Sequence, residues 1–191
     1  MIYAAESDPL CYPGTTVLRN LLDLTNQQDL DEAELALTLT RFDEPLPAGN
    51  LDVSHYYAVH HHLFQDVYSW AGQPRTIRIG KGGNWFCYPE HIESQLGKAF
   101  AELGDPDTLQ GAEPAVFAKR VAHFLAELNA VHPFREGNGR TQLAFLSMLA
   151  EHAGFPFNAD TLERARVLTA MIESFDGTEE PLAALIHDLI N

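Results

Sequence analysis

Two apolar helical segments joined by a short polar loop constrain the fold of this chain more than any other feature. The first segment begins at Pro114, which suits the first turn of a helix, and ends near His132. Its apolar residues recur at the spacing of one helix face: Phe117, Val121, Phe124, Leu125 and Leu128. The second segment predicts a helix from about Asn138 to Gly154, a residue that favours helix ends. The sequence therefore predicts consecutive helices with a polar loop between them.

The rest of the chain also reads as mainly helical. We expect N-terminal helices within residues 12–42, central helices and a hairpin within about 52–154, and C-terminal helices within 159–190. The central helix, expected over 52–70, can be capped by Asp52 or Ser54. No linker separates two cores, so residues 1–191 are predicted to form a single domain.

A short β-hairpin is the one expected exception to the helices. Residues 76–79 alternate like a strand, GKGGN supplies a turn, and WFCY at 85–88 predicts a returning strand. A strand edge of this kind can pair with an extended segment of another chain.

Composition excludes several classes of partner. The chain carries 12 basic and 27 acidic residues, a formal charge of −15, which opposes binding to nucleic acid. No apolar run approaches the roughly 18 residues of a membrane span, and no secretory signal is visible at the start. Cys11 and Cys87 are too few for a disulfide framework, so a cytoplasmic location is predicted.

Two other polar clusters are interpreted as structural. His60, His61 and His62 are consecutive on a helix and point in three directions, so they cannot converge on one metal ion without other ligands. The acids at 31, 32 and 34 are interpreted as a solvated helix face.

The loop with the sequence HPFREGNGR, residues 132–140, combines groups that a plain turn does not need. Gly137 and Gly139 allow positive φ, and a helix N-terminus follows whose amides and dipole favour a phosphate. Arg140 lies in the first helical turn, where the dipole disfavours it unless a negative group lies opposite. Glu136 can hold a divalent cation, and His132 can take a proton from a hydroxyl. These parts together predict phosphoryl or nucleotidyl transfer.

This loop resembles the signature of the Fic family (filamentation induced by cAMP), whose pattern is HxFx(D/E)GNGRxxR. YPGTTVLRN, LFQDVYSWAGQPRTI and KGGNWFCYP are similar to the family's N-terminal helix, central helix and flap, so the resemblance covers about residues 12–154. It implies a helical core with a β-hairpin flap, and Mg²⁺-dependent AMP transfer from ATP to a hydroxyl side chain of a target protein.

The resemblance also implies roles for single residues. His132 is the expected general base, Phe134 the anchor of the loop in the core, and Glu136 the Mg²⁺ ligand. The expected phosphate-binding residues are Gly137, Asn138, Gly139 and Arg140, with Lys81, Gly82 and Gly83 bordering the nucleotide. The expected target-docking flap residues are Ile77, Ile79 and Phe86. For Phe86, a clamp on the target side chain and a core anchor are equally favoured.

The sequence departs from the family pattern at Leu143, where the second Arg is expected. Leu143, Leu146 and Ala150 share one helix face, so we expect Leu143 to join the core. The family's inhibitory motif, (S/T)xxxE(G/N), is absent, because the only Glu followed by Gly or Asn is Glu136. An inhibitor would then be a separate antitoxin-like chain, or regulation would be of another kind. A kinase-like transfer and a non-catalytic binding module stay open as alternatives.

Overall fold

The computed structural model describes residues 8–159 and 162–191. Within these ranges the helices are α1 (Gln27–Phe42), α2 (Val53–Phe64), α3 (Ile92–Leu103), α4 (Pro114–Val131), α5 (Asn138–Ala153), α6 (Arg164–Phe175) and α7 (Glu180–Leu189). The strands β1 (Gly80–Lys81) and β2 (Asn84–Trp85) pair antiparallel, and 3-10 turns lie at Pro89–His91 and Pro106–Leu109. The prediction of a mainly helical fold with one small hairpin is confirmed. No helix in the described ranges is long and apolar enough to cross a membrane.

The chain divides into two compact units, one of residues 8–91 with 133–141 and one of residues 92–132 with 142–191. In the first unit, α1 packs against α2. The side chain of Asn26 caps α1 by accepting from the amides of Gln28 and Asp29, and Asp52 caps α2, as predicted. A single domain over residues 1–191 stays a prediction.

In the second unit, α4 packs against α3, α6 and α7. Pro114 occupies its first turn, and the whole apolar face predicted for α4 is buried. The ring of Phe124 in α4 makes an edge contact with the ring of Phe100 and a tilted contact with the ring of Phe145, which is fully buried. The prediction for this helix is confirmed.

Three sequence-based boundaries were wrong. Of the N-terminal helices expected within residues 12–42, the described residues before α1 form none, because the Asn20 side chain bonds to backbone groups of Leu18, Leu22 and Leu24 and so competes with helical pairing. The helix expected to reach residue 70 ends at Phe64, after which the chain continues as turns. The helix expected from 159 begins at Arg164, and residues 160–161 of that prediction lie outside the described ranges.

The first predicted hairpin strand was also misplaced, since β1 begins at Gly80 and not within 76–79. The buried guanidinium of Arg75 donates to the carbonyls of Ile77 and Cys87, both at 2.6 Å, so a side chain bridges the chains where a strand ladder was expected. One backbone bond, from the Phe86 amide to the Ile79 carbonyl at 3.1 Å, continues the pairing beyond β2.

Candidate functional site

His132 ends α4 in a conformation that re-aims the chain. It adopts the left-handed region, with φ 48° and ψ 63°, while its amide still donates to the Leu128 carbonyl at 2.9 Å. Its Nδ1 lies 3.3 Å from the Asn129 carbonyl, which can only accept, so Nδ1 carries the proton. This tautomer leaves the ring's lone pair on Nε2, the arrangement that a general base needs.

Asn138 fixes the loop internally. Its Oδ1 accepts from the Phe134 amide at 2.9 Å, and its Nδ2 donates to the Phe134 carbonyl at 2.8 Å. Phe134 is fully buried and stacks on His60 with ring centroids 3.7 Å apart. The Asn138 side chain is therefore used within the loop, so a phosphate-binding role for this residue would fall to its backbone amide.

The two glycines around Asn138 differ. Gly137 has φ +83°, and a Cβ there would lie 2.3 Å from an atom of the Phe64 ring, so only glycine fits. Gly139 lies in the first turn of α5 without positive φ, so the backbone freedom that glycine allows is not used at this position. A Cβ on Gly139 would meet no described atom within 4 Å, which leaves open space beside the helix N-terminus.

Glu136 is the acid of the loop. Its Oε1 accepts from the Gly137 amide at 2.9 Å and lies 3.8 Å from the Arg140 guanidinium, with about a third of the side chain exposed. Within the described ranges no three His, Cys, Asp or Glu side chains cluster as a metal site. A cation here would therefore need oxygen ligands from a bound molecule beside this one carboxylate.

Arg140 is held by a helix that sequence reasoning did not connect to it. One terminal nitrogen donates to Oε1 of Glu34 in α1, the other lies 3.3 Å from the Thr38 hydroxyl, and the guanidinium stacks 4.6 Å from the Phe64 ring centre. The opposing negative group required by the helix dipole is thus Glu34, together with Glu136.

Glu34 is not on a solvated face, so its interpretation was wrong, whereas residues 31 and 32 are exposed. The Tyr68 hydroxyl donates to its second oxygen, Oε2. Burial raises the pKa of Glu34, and the charge of Arg140 opposes that rise. The sequence held one usable signal: residues 30, 34 and 38 form one i, i+4 stripe on α1, and all three are buried.

His60 is a second residue whose role the sequence did not reveal. The Gly72 amide donates to its Nδ1 at 2.8 Å, so Nε2 carries the proton and donates to the Glu136 carbonyl at 3.0 Å. Burial lowers the pKa of His60 to about 3, so the ring is neutral. In the sequence, His60 does not differ from His61 and His62 beside it. Its bond to the loop is therefore visible only in the folded structure.

The flap places its predicted residues in different environments. Gly82 and Gly83 are exposed, with φ of 62° and 91°, as a two-residue hairpin turn demands, and Lys81 beside them is half-buried. Ile77 is half-buried, whereas the side chains of Ile79 and Phe86 are buried, at 0% and 7% exposed. For Phe86 this geometry favours the core anchor.

The outer side of the flap carries an aromatic stack that was not predicted. The Arg78 guanidinium lies 3.8 Å from the ring centre of Tyr88 and 5.0 Å from that of Trp85. About half of the surface of Trp85 and of Tyr88 is exposed, so this cation–π stack lies at the surface of the flap.

Leu143 only partly follows its prediction. Leu146 and Ala150 are buried, but Leu143 is half-buried. It is therefore not a full core residue.

A helical fold with a hairpin flap and the loop sequence HPFREGNGR is that of a Fic-type domain. Residues 50–150 match the model of the Fic/DOC family, and the chain belongs to that family. It is 56% identical over 189 residues to the probable protein adenylyltransferase y4lH of Sinorhizobium fredii, with 98% of each chain covered.

Two further proteins extend the comparison. The chain is 37% identical over 188 residues to the protein adenylyltransferase VbhT of Bartonella schoenbuchensis, covering 97% of this chain and 39% of that protein. The crystal structure of BepC, a VirB-translocated effector of Bartonella tribocorum with bound AMPPNP, superimposes with a TM-score of 0.85 at 25% identity, covering 94% of this chain and 95% of that one.

Proposed function

We propose that this chain is a protein adenylyltransferase that transfers AMP from ATP to a hydroxyl side chain of a target protein. The observation that carries the proposal is the loop of residues 132–140, with its base tautomer, its acid and its arginine at a helix N-terminus. The similar protein from Sinorhizobium fredii bears the same activity in its name, which supports the assignment.

In the proposed reaction, His132 accepts the proton of the target's Ser, Thr or Tyr hydroxyl at Nε2. The freed oxygen attacks the α-phosphorus of ATP, forming the new O–P bond, while the bond to the bridging oxygen breaks and pyrophosphate leaves. The amides of residues 137–139 and the guanidinium of Arg140 hold the phosphates as charge shifts to the leaving group.

ATP and Mg²⁺ fit the groups present. BepC was solved with AMPPNP, the imido analogue of ATP, which supports an adenine nucleotide. Mg²⁺ binds through one or two carboxylates plus phosphates and waters, and Glu136 offers one part-exposed carboxylate beside the helix N-terminus. When bound, the ion would neutralise phosphate charge, and Glu136 would hold it there.

The flap is proposed to dock the target. The backbone around Ile77, Ile79 and Phe86 would pair with the segment that bears the hydroxyl, while Lys81, Gly82 and Gly83 border the nucleotide. The exposed Gly82–Gly83 turn supports the second assignment, since a chain without side chains permits close approach.

The test uses purified protein, Mg²⁺, a cell lysate and ATP labelled at either the α- or the γ-phosphate. We expect protein-bound label only from the α position, and its loss in His132→Ala. Label from the γ position would indicate a kinase, an outcome made relevant by the half-buried Leu143 that stands in place of the second Arg. If the wild type and His132→Ala bind ATP with the same affinity and neither gives protein-bound label, the chain would be a binding module.

Regulation by a separate antitoxin-like chain in the cytoplasm is the last part of the proposal. The separate inhibitor is supported by the absence of the inhibitory motif from the sequence. The cytoplasmic location is supported by Cys11 and Cys87, neither of which forms a disulfide. Mass spectrometry of the protein purified from its native cell under mild conditions would detect such a chain. Active protein recovered alone would count against it.

A further inference from the structure

The contact between α1 and Arg140 of the loop at residues 132–140 involves more than one ion pair, because Thr38 and Tyr68 also take part. Glu34 is buried, with 12% of its side chain exposed, and each carboxylate oxygen accepts a hydrogen bond: Oε1 from Arg140 and Oε2 from Tyr68. A carboxylate held at both oxygens cannot swing to follow its partner. Glu34 therefore presents a fixed acceptor to Arg140.

The guanidinium is correspondingly restricted. Glu34 and Thr38 bind its two terminal nitrogens, and the Phe64 ring covers one face. A guanidinium has five N–H donors in one plane, and these two contacts use one hydrogen on each terminal nitrogen. The remaining donors on those atoms and on Nε point in directions set by the contacts, so they are oriented before a ligand arrives.

Stability alone does not explain an acid at this position. Burial raises the pKa of Glu34 despite the neighbouring cation, so the fold penalises its charged form. Buried ion pairs are often no more stabilising than apolar residues of similar size. An unfavourably buried acid that controls the direction of a functional arginine fits a role in ligand binding better than a role in folding.

We infer that Glu34 is a positioning residue that orients Arg140 toward the β-phosphate of the nucleotide. The inference rests on the proposed function, in which Arg140 binds that phosphate. Because Glu34 is anchored by Tyr68, it acts as an orienting group and not as a mobile acid that competes with phosphate for the guanidinium.

Equilibrium binding of ADP and of AMP, each with Mg²⁺, tests the inference without requiring catalysis. AMP has no β-phosphate, so an effect through Arg140 must appear with ADP and not with AMP. Arg140→Ala is expected to weaken ADP binding about 10- to 100-fold, the range of a charge-assisted hydrogen bond. Glu34→Gln keeps size and removes charge, and should weaken ADP binding on the order of tenfold, with AMP binding unchanged.

Glu32→Gln is the matched control, because Glu32 is an exposed acid on the same helix that bonds only to Gln28 in the described contacts. It should change neither affinity. The double variant Glu34→Gln with Arg140→Ala should bind ADP no more weakly than Arg140→Ala alone, since both act through one group. Thermal unfolding of each variant reports whether it folds.

The outcomes separate the two levels of the proposal. If Arg140→Ala alters the ADP-to-AMP preference and Glu34→Gln does not, Glu34 is only a structural acid and the inference is wrong. Tighter ADP binding by Glu34→Gln would also overturn it, since Glu34 would then compete with the phosphate. If Arg140→Ala leaves the preference unchanged, the assignment of Arg140 fails and the inference fails with it.

Discussion

The loop of residues 133–140 and helix α1 meet at the same guanidinium, but they are held by different means. The loop closes on itself, through the Asn138–Phe134 pair and the bond from Gly137 to Glu136. Helix α1 contributes an acid, Glu34, from 106 residues away in the chain, and the hydroxyl of Thr38. Local bonds, together with the bond from His60 of α2 to the Glu136 carbonyl, thus set the shape of the loop, whereas α1 sets the direction of its charge. Changes to the loop should therefore have larger effects on folding than changes around Glu34.

The largest effect is expected at Gly137. Gly137→Ala would place a methyl group 2.3 Å from the Phe64 ring in a backbone conformation that alanine disfavours. Strain and overpacking together should lower the free energy of unfolding by about 2–5 kcal/mol, measured by urea denaturation.

Gly139→Ala is the matched control in the same loop. Its Cβ meets open space within a helical turn, so the free energy of unfolding should rise by about 0.5–1 kcal/mol. If both variants unfold with the same free energy, the shape of the loop is not set by the contact of Gly137 with Phe64.

The contrast between loop and helix also explains what the sequence could reveal. Roles for His132, Glu136 and Arg140 could be predicted because the three residues lie within nine consecutive positions, where covalent connection keeps them together. The different conformations of Gly137 and Gly139 could not be predicted, because sequence does not fix the exact residue at which a helix begins. The buried face of α4 could also be predicted, because a helix that packs against other helices carries apolar residues at helical spacing on one face.

Glu34 and His60 were not assignable, because each acts through a contact with a residue far away in the chain. The acid stood beside two exposed acids, and the histidine beside two others, so neither differed in type from its neighbours. The missing helix around Asn20 has the same kind of cause, because hydrogen bonds of its side chain to the backbone outweigh the helical spacing of nearby apolar residues. Periodicity predicts which elements form, but not which buried polar group touches a site.

The second prediction concerns His60, which joins the loop to α2. Because burial lowers its pKa from the ordinary 6.5 to about 3, the unfolded chain takes up a proton below pH 6.5 that the folded protein does not. Stability from this group is therefore complete above pH 6.5 and falls by about 1.4 kcal/mol per pH unit as the pH drops toward 3. Relative to pH 7, the loss at pH 5 should be about 2 kcal/mol.

His60→Gln, which keeps one donor and one acceptor, should remove this part of the pH dependence whatever its stability at pH 7. His91→Gln, at an exposed position, should leave it intact. Urea denaturation at pH 7 and pH 5 gives the difference for each protein. An equal loss in the wild type and in His60→Gln would mean that His60 is protonated in the folded state.

The smallest effect is expected at Tyr68, which follows α2 in the chain and donates a hydrogen bond to Glu34 of α1. Tyr68→Phe keeps the ring that stacks on Trp70 at 4.4 Å and removes only the hydroxyl that donates to Glu34. Loss of one hydrogen bond should lower the free energy of unfolding by about 1 kcal/mol. Glu34 would keep its charge but lose its anchor, so the preference for ADP over AMP should fall less than in Glu34→Gln.

Tyr12→Phe, at a half-buried position, serves as the control. A preference for ADP that falls as far in Tyr68→Phe as in Glu34→Gln would show that the anchor, rather than the charge, determines how Arg140 is oriented.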